Sequence, residues 1–446
     1  LTADAGLETG RAERQQSRSE DAMATVEQEL DFFSDQRVID DPKGYFARMR
    51  ARNPVARDAY QGSLMVTGYD AVLEVLNRRD DVFSACVNVL GPVQGLPFEP
   101  QGEDIRDQLD AHRTEMAWSD HLACFDGEKH AVNRLLMTDL LTYKRLKANE
   151  QYLYGLADRL LDNLLPRGAC EAASEYAHAA ATYAISDLLG IPAEDRAELV
   201  ALLGVPPSQI DGEATHRVGS DPLIFLKERF DGYLRARQAN PINDLMTELL
   251  NSKYRDGTAP DFERVSLLAR FLFGAGQDTT SRLIAMAIRM LADDPALQAR
   301  IRAEPNKIPD FIEETLRFET PVKVNYRLAT QHTTIAGVDV PAGTVMTVSL
   351  TGASNDPARF PDPERFDIDR PNVRDHMAFS KGAHGCLGAP LARLEARVAI
   401  ERLLARTTDI RISEKHHGPP GNRTWRFEPT YTFRNMSDLY IEYDPA

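Results

Sequence analysis

The chain has 446 residues, 43% of them hydrophobic and 27% charged, and carries a formal net charge of −16. That composition is ordinary for a globular protein with a large core, and the acidic balance argues against nucleic acid or an anionic membrane, either of which needs a basic face. No run of about eighteen apolar residues occurs, so no transmembrane helix is expected.

Residues 1–34 read as a polar, mobile tail and residues 35–446 as a single domain. Within the tail, Leu1 to Met23 lacks the charged-then-apolar order of a signal peptide, and Met23 could serve as an alternative start. Asp41 to Arg52 has the pattern of an amphipathic helix, and Val55 to Val66 alternates around Gln61-Gly62 as a hairpin does. Phe83 to Ser119 is rich in Gly, Pro and acidic residues without clean periodicity, and long loops of that kind are often lids or binding loops. Helical patterns follow at Lys147 to Leu165, Glu171 to Leu189 and Pro260 to about Leu291. Further β regions are expected at Thr333 to Leu350, around Val340-Pro-Ala-Gly343, and near Trp425 to Tyr443. A last helix is expected over Ala389 to Leu404. The chain therefore reads as mostly α with small β sheets. Cys86, Cys124, Cys170 and Cys386 are scattered, with no CxxC pair, which suits a reducing, cytosolic setting.

Cys386 lies in Phe379-Ser-Lys-Gly-Ala-His-Gly-Cys-Leu-Gly-Ala-Pro390, directly before that last helix. Gly382, Gly385 and Gly388 allow a tight loop whose backbone can approach a flat ligand. Unpaired N–H groups and the positive end of the helix dipole are expected to lower the thiol pKa there. A stable thiolate is a soft metal ligand, cysteine-ligated haem iron being one case. A lone cysteine is more often a small buried apolar residue; its neighbours decide between the two readings.

The pattern Phe379-x-x-Gly382-x-His384-x-Cys386-x-Gly388 resembles the haem-binding loop of the cytochrome P450 family of haem-thiolate monooxygenases. Three further matches stand in the order that family requires. Ala275-Gly-Gln-Asp-Thr-Thr280 is similar to the oxygen-activation motif of the long distal helix. Glu314-Thr-Leu-Arg317 resembles the ExxR pair, and Pro363-Glu-Arg-Phe366 the arginine-bearing loop. The resemblance runs over roughly residues 35 to 446, and the composition is most similar to the bacterial branch.

The resemblance implies a triangular single-domain fold, haem b (iron protoporphyrin IX) on Cys386, and dioxygen as co-substrate. Thr279 could bond to the Ala275 carbonyl four residues back, bending the helix where Gly274 and Gly276 already weaken it. A pocket opened there could hold dioxygen and a water, with Asp278 supplying protons and Thr279 ordering the water. His384, Arg327 (expected just before a strand), and the HxxxR pair His130 and Arg134 are the candidates for the haem propionates, arginine suiting a carboxylate through its bidentate fork. Glu314, Arg317 and Arg365 are expected to form a buried structural ion-pair network behind the loop.

Val87, Val89, Leu90, Phe271, Leu272, Ala275, Val322, Val324, Thr432 and Phe433 are the candidate pocket wall, mainly apolar as ligand pockets commonly are. Terpenoid, steroid or alkyl-aromatic compounds are the substrate classes considered. The expected reaction is hydroxylation of an apolar small molecule. No flavin or iron–sulfur motif is present, so NAD(P)H acts only indirectly, through a ferredoxin and its reductase. Lys129, Lys381, Arg393 and Arg397 are the candidate docking cations, and a monomer is expected. A peroxide-driven peroxygenase and a non-catalytic haem sensor or carrier are the alternatives; the intact Asp278-Thr279 pair weighs against both.

Overall fold

The structure, a computed structural model, describes residues 30–78, 81–93, 95–203 and 223–446. The expected tail lies, as far as residue 29, outside the described residues. Phe32, within that segment, is 1% exposed and stacks against Tyr45 and Phe46, so the packed chain begins before residue 35.

Seven helices position the site: α1 (Gly127–Thr138), α2 (Tyr143–Leu164), α3 (Ala179–Leu189), α4 (Ala193–Leu203), α5 (Phe262–Asp293), α6 (Ile308–Phe318) and α7 (Ala389–Arg406). Local chemistry sets their ends. Asp261 caps α5 by accepting from the Arg264 N–H, and Thr142 caps α2 from the Arg145 N–H. Pro309 and Pro390 sit in the first turns of α6 and α7, where no N–H is needed. Gly190 ends α3 at φ +83°, where a Cβ would collide with the Asp244 side chain.

The 32-residue α5 crosses the molecule and packs against α3 and α7. Its residues Leu283, Ile284, Ile288 and Leu291 share one core with Ile312 and Leu316 of α6 and Ala396, Ile400 and Leu403 of α7. Each such fully buried aliphatic side chain contributes about 1.5–3 kcal/mol. The α5 helix is thereby anchored along its second half, which leaves the Ala275–Thr280 stretch positioned by that core.

The strands are β1 (Val55–Arg57), β2 (Leu64–Val66), β3 (Phe83–Ser84), β4 (Ala169–Glu171), β5 (Val324–Ala329), β6 (Thr333–Ile335), β7 (Val338–Val340), β8 (Val345–Ser349), β9 (Thr407–Ile412) and β10 (Tyr440–Pro445). They form a five-stranded sheet of order β1-β2-β8-β5-β3, a three-stranded sheet β4-β10-β9 and the hairpin β6-β7. The hairpin expected around Gly62 is present, Val55 pairing with Val66. Two expectations fail. Arg327 lies inside β5 rather than before a strand, because Val324–Ala329 pairs in full register with β8. Within Phe83 to Ser119 a short helix forms at Arg106–His112, which packs through Leu109 alone and so shows little periodicity.

Candidate active site

The Phe379–Gly388 loop is held by its own backbone. Cys386 N–H donates to the Phe379 carbonyl (2.8 Å) and Gly385 N–H to the Gly382 carbonyl (3.1 Å). Gly382 has φ +68°, and a Cβ there would lie 2.1 Å from the Leu76 carbonyl oxygen, so no other residue fits. Cys386 keeps exposed surface, yet the surrounding protein crowds its sulfur. Burial therefore pushes the thiol pKa up, while the Gly388 and Ala389 N–H groups and the Arg134 and Arg393 charges pull it down. The expected lowering is thus corrected: in the protein alone desolvation outweighs the helix terminus. A bound metal cation reverses that balance, since a coordinating thiol is deprotonated outright.

Two of the predicted histidines meet face to face. The His130 ring of α1 stacks on His384 of the loop, centroids 3.9 Å apart, and Arg134 donates to the Gly385 carbonyl. These three side chains and Cys386 are brought together by the structure. Arg327 is buried on β5, donating to Asn88 Oδ1 (2.9 Å) and the Tyr326 carbonyl (2.7 Å), and its charge acts on Cys86.

Behind the loop, Glu314 and Arg317 form a bidentate pair at 2.7 Å and 2.7 Å with both side chains fully buried. Arg317 also donates to the Ser354, Pro363 and Arg365 carbonyls and to Asn355 Oδ1. The predicted third member is wrong. The Arg365 side chain is 72% exposed and contributes only its carbonyl, whereas the Arg370 guanidinium lies buried 3.5 Å from Glu314. The intervening chain makes a turn, the Arg370 N–H bonding the Asp367 carbonyl, and turns Arg370 inward.

A second acid on α6 was missed by the sequence reading. Buried Glu313 accepts from Arg393 Nε (2.5 Å) and Nη2 (3.0 Å) and from His376 Nε2 (3.1 Å). Burial raises its pKa, but the bonds from His376 and Arg393 prevail and hold it down at about 2. Arg393 also stacks 4.5 Å over the Phe379 ring, tying α7 and α6 to the loop's first residue. Arg393 is therefore already paired, as is Arg397, which donates to Glu150 and Glu401. Lys129 lies over the Phe125 ring and 3.6 Å from Asp120.

On α5, the predicted back-bond is present: Thr279 Oγ1 donates to the Ala275 carbonyl at 2.9 Å. The helix nevertheless runs unbroken through Gly274 and Gly276, so the expected local opening is absent; Ile185 of α3 and Leu223 pack against the two glycines. Ala275 is exposed and Gly274, Gly276, Asp278 and Thr279 partly so, whereas Gln277 and Thr280 are buried. Asp278 is gripped by Arg282, whose Nη2 reaches both carboxylate oxygens at 2.6 and 2.8 Å. This i, i+4 partner was not foreseen.

The candidate wall divides. Val322 and Phe433 pair across an isolated bridge, the Thr432 carbonyl accepts from the Lys323 N–H, and Arg282 stacks on the Phe433 ring, so α5 at Arg282 and the C-terminal loop converge. Val87, Val89 and Leu90 line a small cavity of about 10 Å³ with Cys86, Met116 and Cys124. Phe271 is half-buried beside His121. Leu272 and Val324 are packed into separate cores and are corrected to core residues. Lys323, between Val322 and Val324, was also missed: it is 1% exposed, donates to the Thr430 carbonyl (2.6 Å), and burial, helped by the Arg434 and Arg282 charges, lowers its pKa to about 7.

Residues 212–408 match the family model Cytochrome P450. The chain is similar over 406 residues to cytochrome P450 144 of Mycobacterium tuberculosis, at 31% identity and 88% of each protein. It is similar over 423 residues to the cytochrome P450 monooxygenase PikC of Streptomyces venezuelae, at 30% identity, covering 90% and 91% of the two. The chain belongs to the cytochrome P450 family. The fold agrees: the substrate-free structure of cytochrome P450 CYP150A6 from Mycobacterium marinum superposes with a TM-score of 0.86 at 44% identity, covering 94% of this chain and 99% of that one.

A P450 monooxygenase uses haem, and the residues present fit it. Cys386 offers sulfur on an accessible loop; Arg134, which has no carboxylate partner among the described residues, and the His130–His384 stack stand beside it. Among the described residues no three or more His, Cys, Asp or Glu side chains are grouped so as to hold a metal ion, so Cys386 is a lone protein ligand.

Proposed function

We propose that this P450 hydroxylates an apolar small molecule, inserting one atom of dioxygen, with electrons from NAD(P)H delivered through a ferredoxin and its reductase. The observation that carries the reading is the Asp278–Thr279 pair on α5, with Thr279 bonded back to Ala275 and both residues accessible. Haem b, held through Cys386, supplies the iron that activates dioxygen, and its thiolate ligand favours O–O cleavage.

The protein's own groups do the rest. Because Thr279 spends its proton on the Ala275 carbonyl, its oxygen accepts from an ordered water and fixes where that water points. Asp278 passes protons to this water, exchanging bonds to Arg282 as it does so. Arg134, His130, His384 and Arg327 would hold the haem propionates, Arg327 from β5 and the others from α1 and the loop. Phe379, Gly382 and Gly388 shape the loop. Ala275, Phe271, Val322, Thr432 and Phe433, with Val87, Val89 and Leu90, face the substrate, and their apolar character suits terpenoid, steroid or alkyl-aromatic compounds.

The test compares product formation by the haem-loaded protein with NAD(P)H, a ferredoxin and a reductase against formation with hydrogen peroxide alone, over a panel of those three substrate classes chosen by substrate-induced spectral shift. Product only with the full electron-transfer chain is expected. Product with peroxide alone at the higher rate would make the protein a peroxygenase.

A further inference from the structure

The inner side of α5 carries polar groups that the scheme above does not use. Directly ahead of α3, residues Ala173–His178 form a π-helical turn, a wide turn that is frequent at functional sites. It places His178 against Gln277, the residue before Asp278. The two are 99 residues apart in sequence, yet His178 Nδ1 lies 2.7 Å from Gln277 Nε2. On its other side His178 Nε2 lies 3.1 Å from the Val200 carbonyl of α4. A carbonyl can only accept, so Nε2 carries a proton and Nδ1 of the neutral ring accepts from the Gln277 amide. Turning that amide over presents its oxygen instead, which accepts from a protonated Nδ1. The pair accommodates both charge states of the ring without losing a bond.

Two more polar groups continue the line. Thr182 and Ser186 follow His178 at four-residue intervals, on the same face of α3. Both are fully buried, and their hydroxyls have no hydrogen-bond partner among the described residues. A buried hydroxyl left so is costly, a cost that ordered water relieves. Next to Ser186, Asp187 reaches the surface, its side chain 30% exposed and paired with Arg196.

We propose that His178 is a positioning residue that supplies protons to Asp278, with the Gln277 amide as its switch and hydrated Thr182 and Ser186 as the path from the Asp187 end of α3. This rests on the reading of Asp278 and Thr279 given above. In one cycle the imidazolium gives its Nδ1 proton through water to the Asp278 carboxylate and returns to the neutral Nε2–H form. A solvent proton arriving along α3 restores it, and only N–H and O–H bonds are made or broken. Burial holds the ring's pKa below the ordinary imidazole value; the Val200 carbonyl and, among the charged groups on the elements packed around the ring, Asp278 of α5 favour its charged form. The π turn's own Glu175 is engaged by Arg167, and on α4 Glu198 is engaged by Arg229.

The test uses the haem-loaded protein. In the diamagnetic ferrous–carbon monoxide form, ¹⁵N-histidine NMR should show neutral His178 as the Nε2–H tautomer, with a titration midpoint that falls in Asp278→Asn. In turnover, His178→Phe and Thr182→Val should slow product formation about tenfold or more and change the pH profile, with coupling less affected and substrate-induced spectral shifts retained. Gln277→Leu, which leaves the imidazole in place, should do the same if His178→Phe fails to fold. Thr279→Ala is run in parallel. If it uncouples while the His178, Thr182 and Gln277 variants match wild type in turnover rate and pH profile, or if the His178 midpoint ignores Asp278→Asn, the supply route is overturned and the acid–alcohol reading stands. If Thr279→Ala itself stays coupled, both fall.

Discussion

Thr279 and Asp278 sit side by side on α5, but the structure gives them unequal freedom: one bonds its own helix, the other a neighbouring cation. Thr279→Ala should keep haem and substrate binding while product per NADPH falls about tenfold or more and the balance appears as hydrogen peroxide. Wild-type coupling in that variant would mean that another group orders the water. Asp278→Asn should instead slow turnover with coupling less affected, because it removes the ionisable group and weakens the Arg282 fork. The Thr279–Ala275 bond was legible in the sequence because it spans one helical turn. The Arg282 fork spans the same interval and went unread, since a motif-bound reading stops at Thr280. The His178–Gln277 contact carries no sequence signal at all: it depends on a π turn and on how two distant helices pack.

At the scale of elements, the ion-pair network behind the loop makes two arginines five residues apart behave oppositely. Arg370→Met should destabilise the protein by about 3 kcal/mol, because it strips a buried carboxylate of a cation. Arg365→Met should stay within about 0.5 kcal/mol of wild type, as exposed substitutions do. Equal effects in a denaturant titration would contradict the assignment. The error in reading Arg365 from sequence has a physical origin: Pro363–Arg370 is irregular, and no period fixes which way a loop side chain points. Helices α2, α5 and α7 were legible because capping residues and apolar spacing agree with the packing. Strand β5 was not, for its Asn325 and Arg327 interrupt the apolar run, and only pairing with β8 makes it a strand. That strand begins beside Lys323, whose folded-state pKa is lowered to about 7. Above that value the folded protein holds it neutral, while the unfolded chain still binds the proton up to about pH 10.4. Stability from this group therefore rises with pH from 7 and is absent below it. Between pH 7 and 9 the gain is about 2 kcal/mol, at about 1.4 kcal/mol per unit at most. Lys323→Met should remove it, so that the wild-type and variant melting temperatures converge as pH rises; a constant difference between them would contradict this.

The whole molecule carries −16 charges, so any acidic redox partner must be attracted by a local field that reaches about 10 Å at moderate salt. Of the four cations expected on the docking face, Arg393 and Arg397 are committed to Glu313, Glu150 and Glu401 and Lys129 lies 3.6 Å from Asp120, which leaves Lys381 without an ion pair among the described residues. Lys381→Glu should accordingly slow ferredoxin-dependent reduction more than Arg397→Glu, and the effect should shrink as salt rises. The reverse order in stopped-flow reduction would place the docking face elsewhere. All of this depends on one bond between the chain and its cofactor. The direct measurement is the spectrum of the reduced protein under carbon monoxide, for wild type and Cys386→Ala. The wild type should show the strongly red-shifted Soret band of thiolate-ligated haem and the variant should lose it; the same band in Cys386→Ala would contradict the assignment of Cys386 as the ligand.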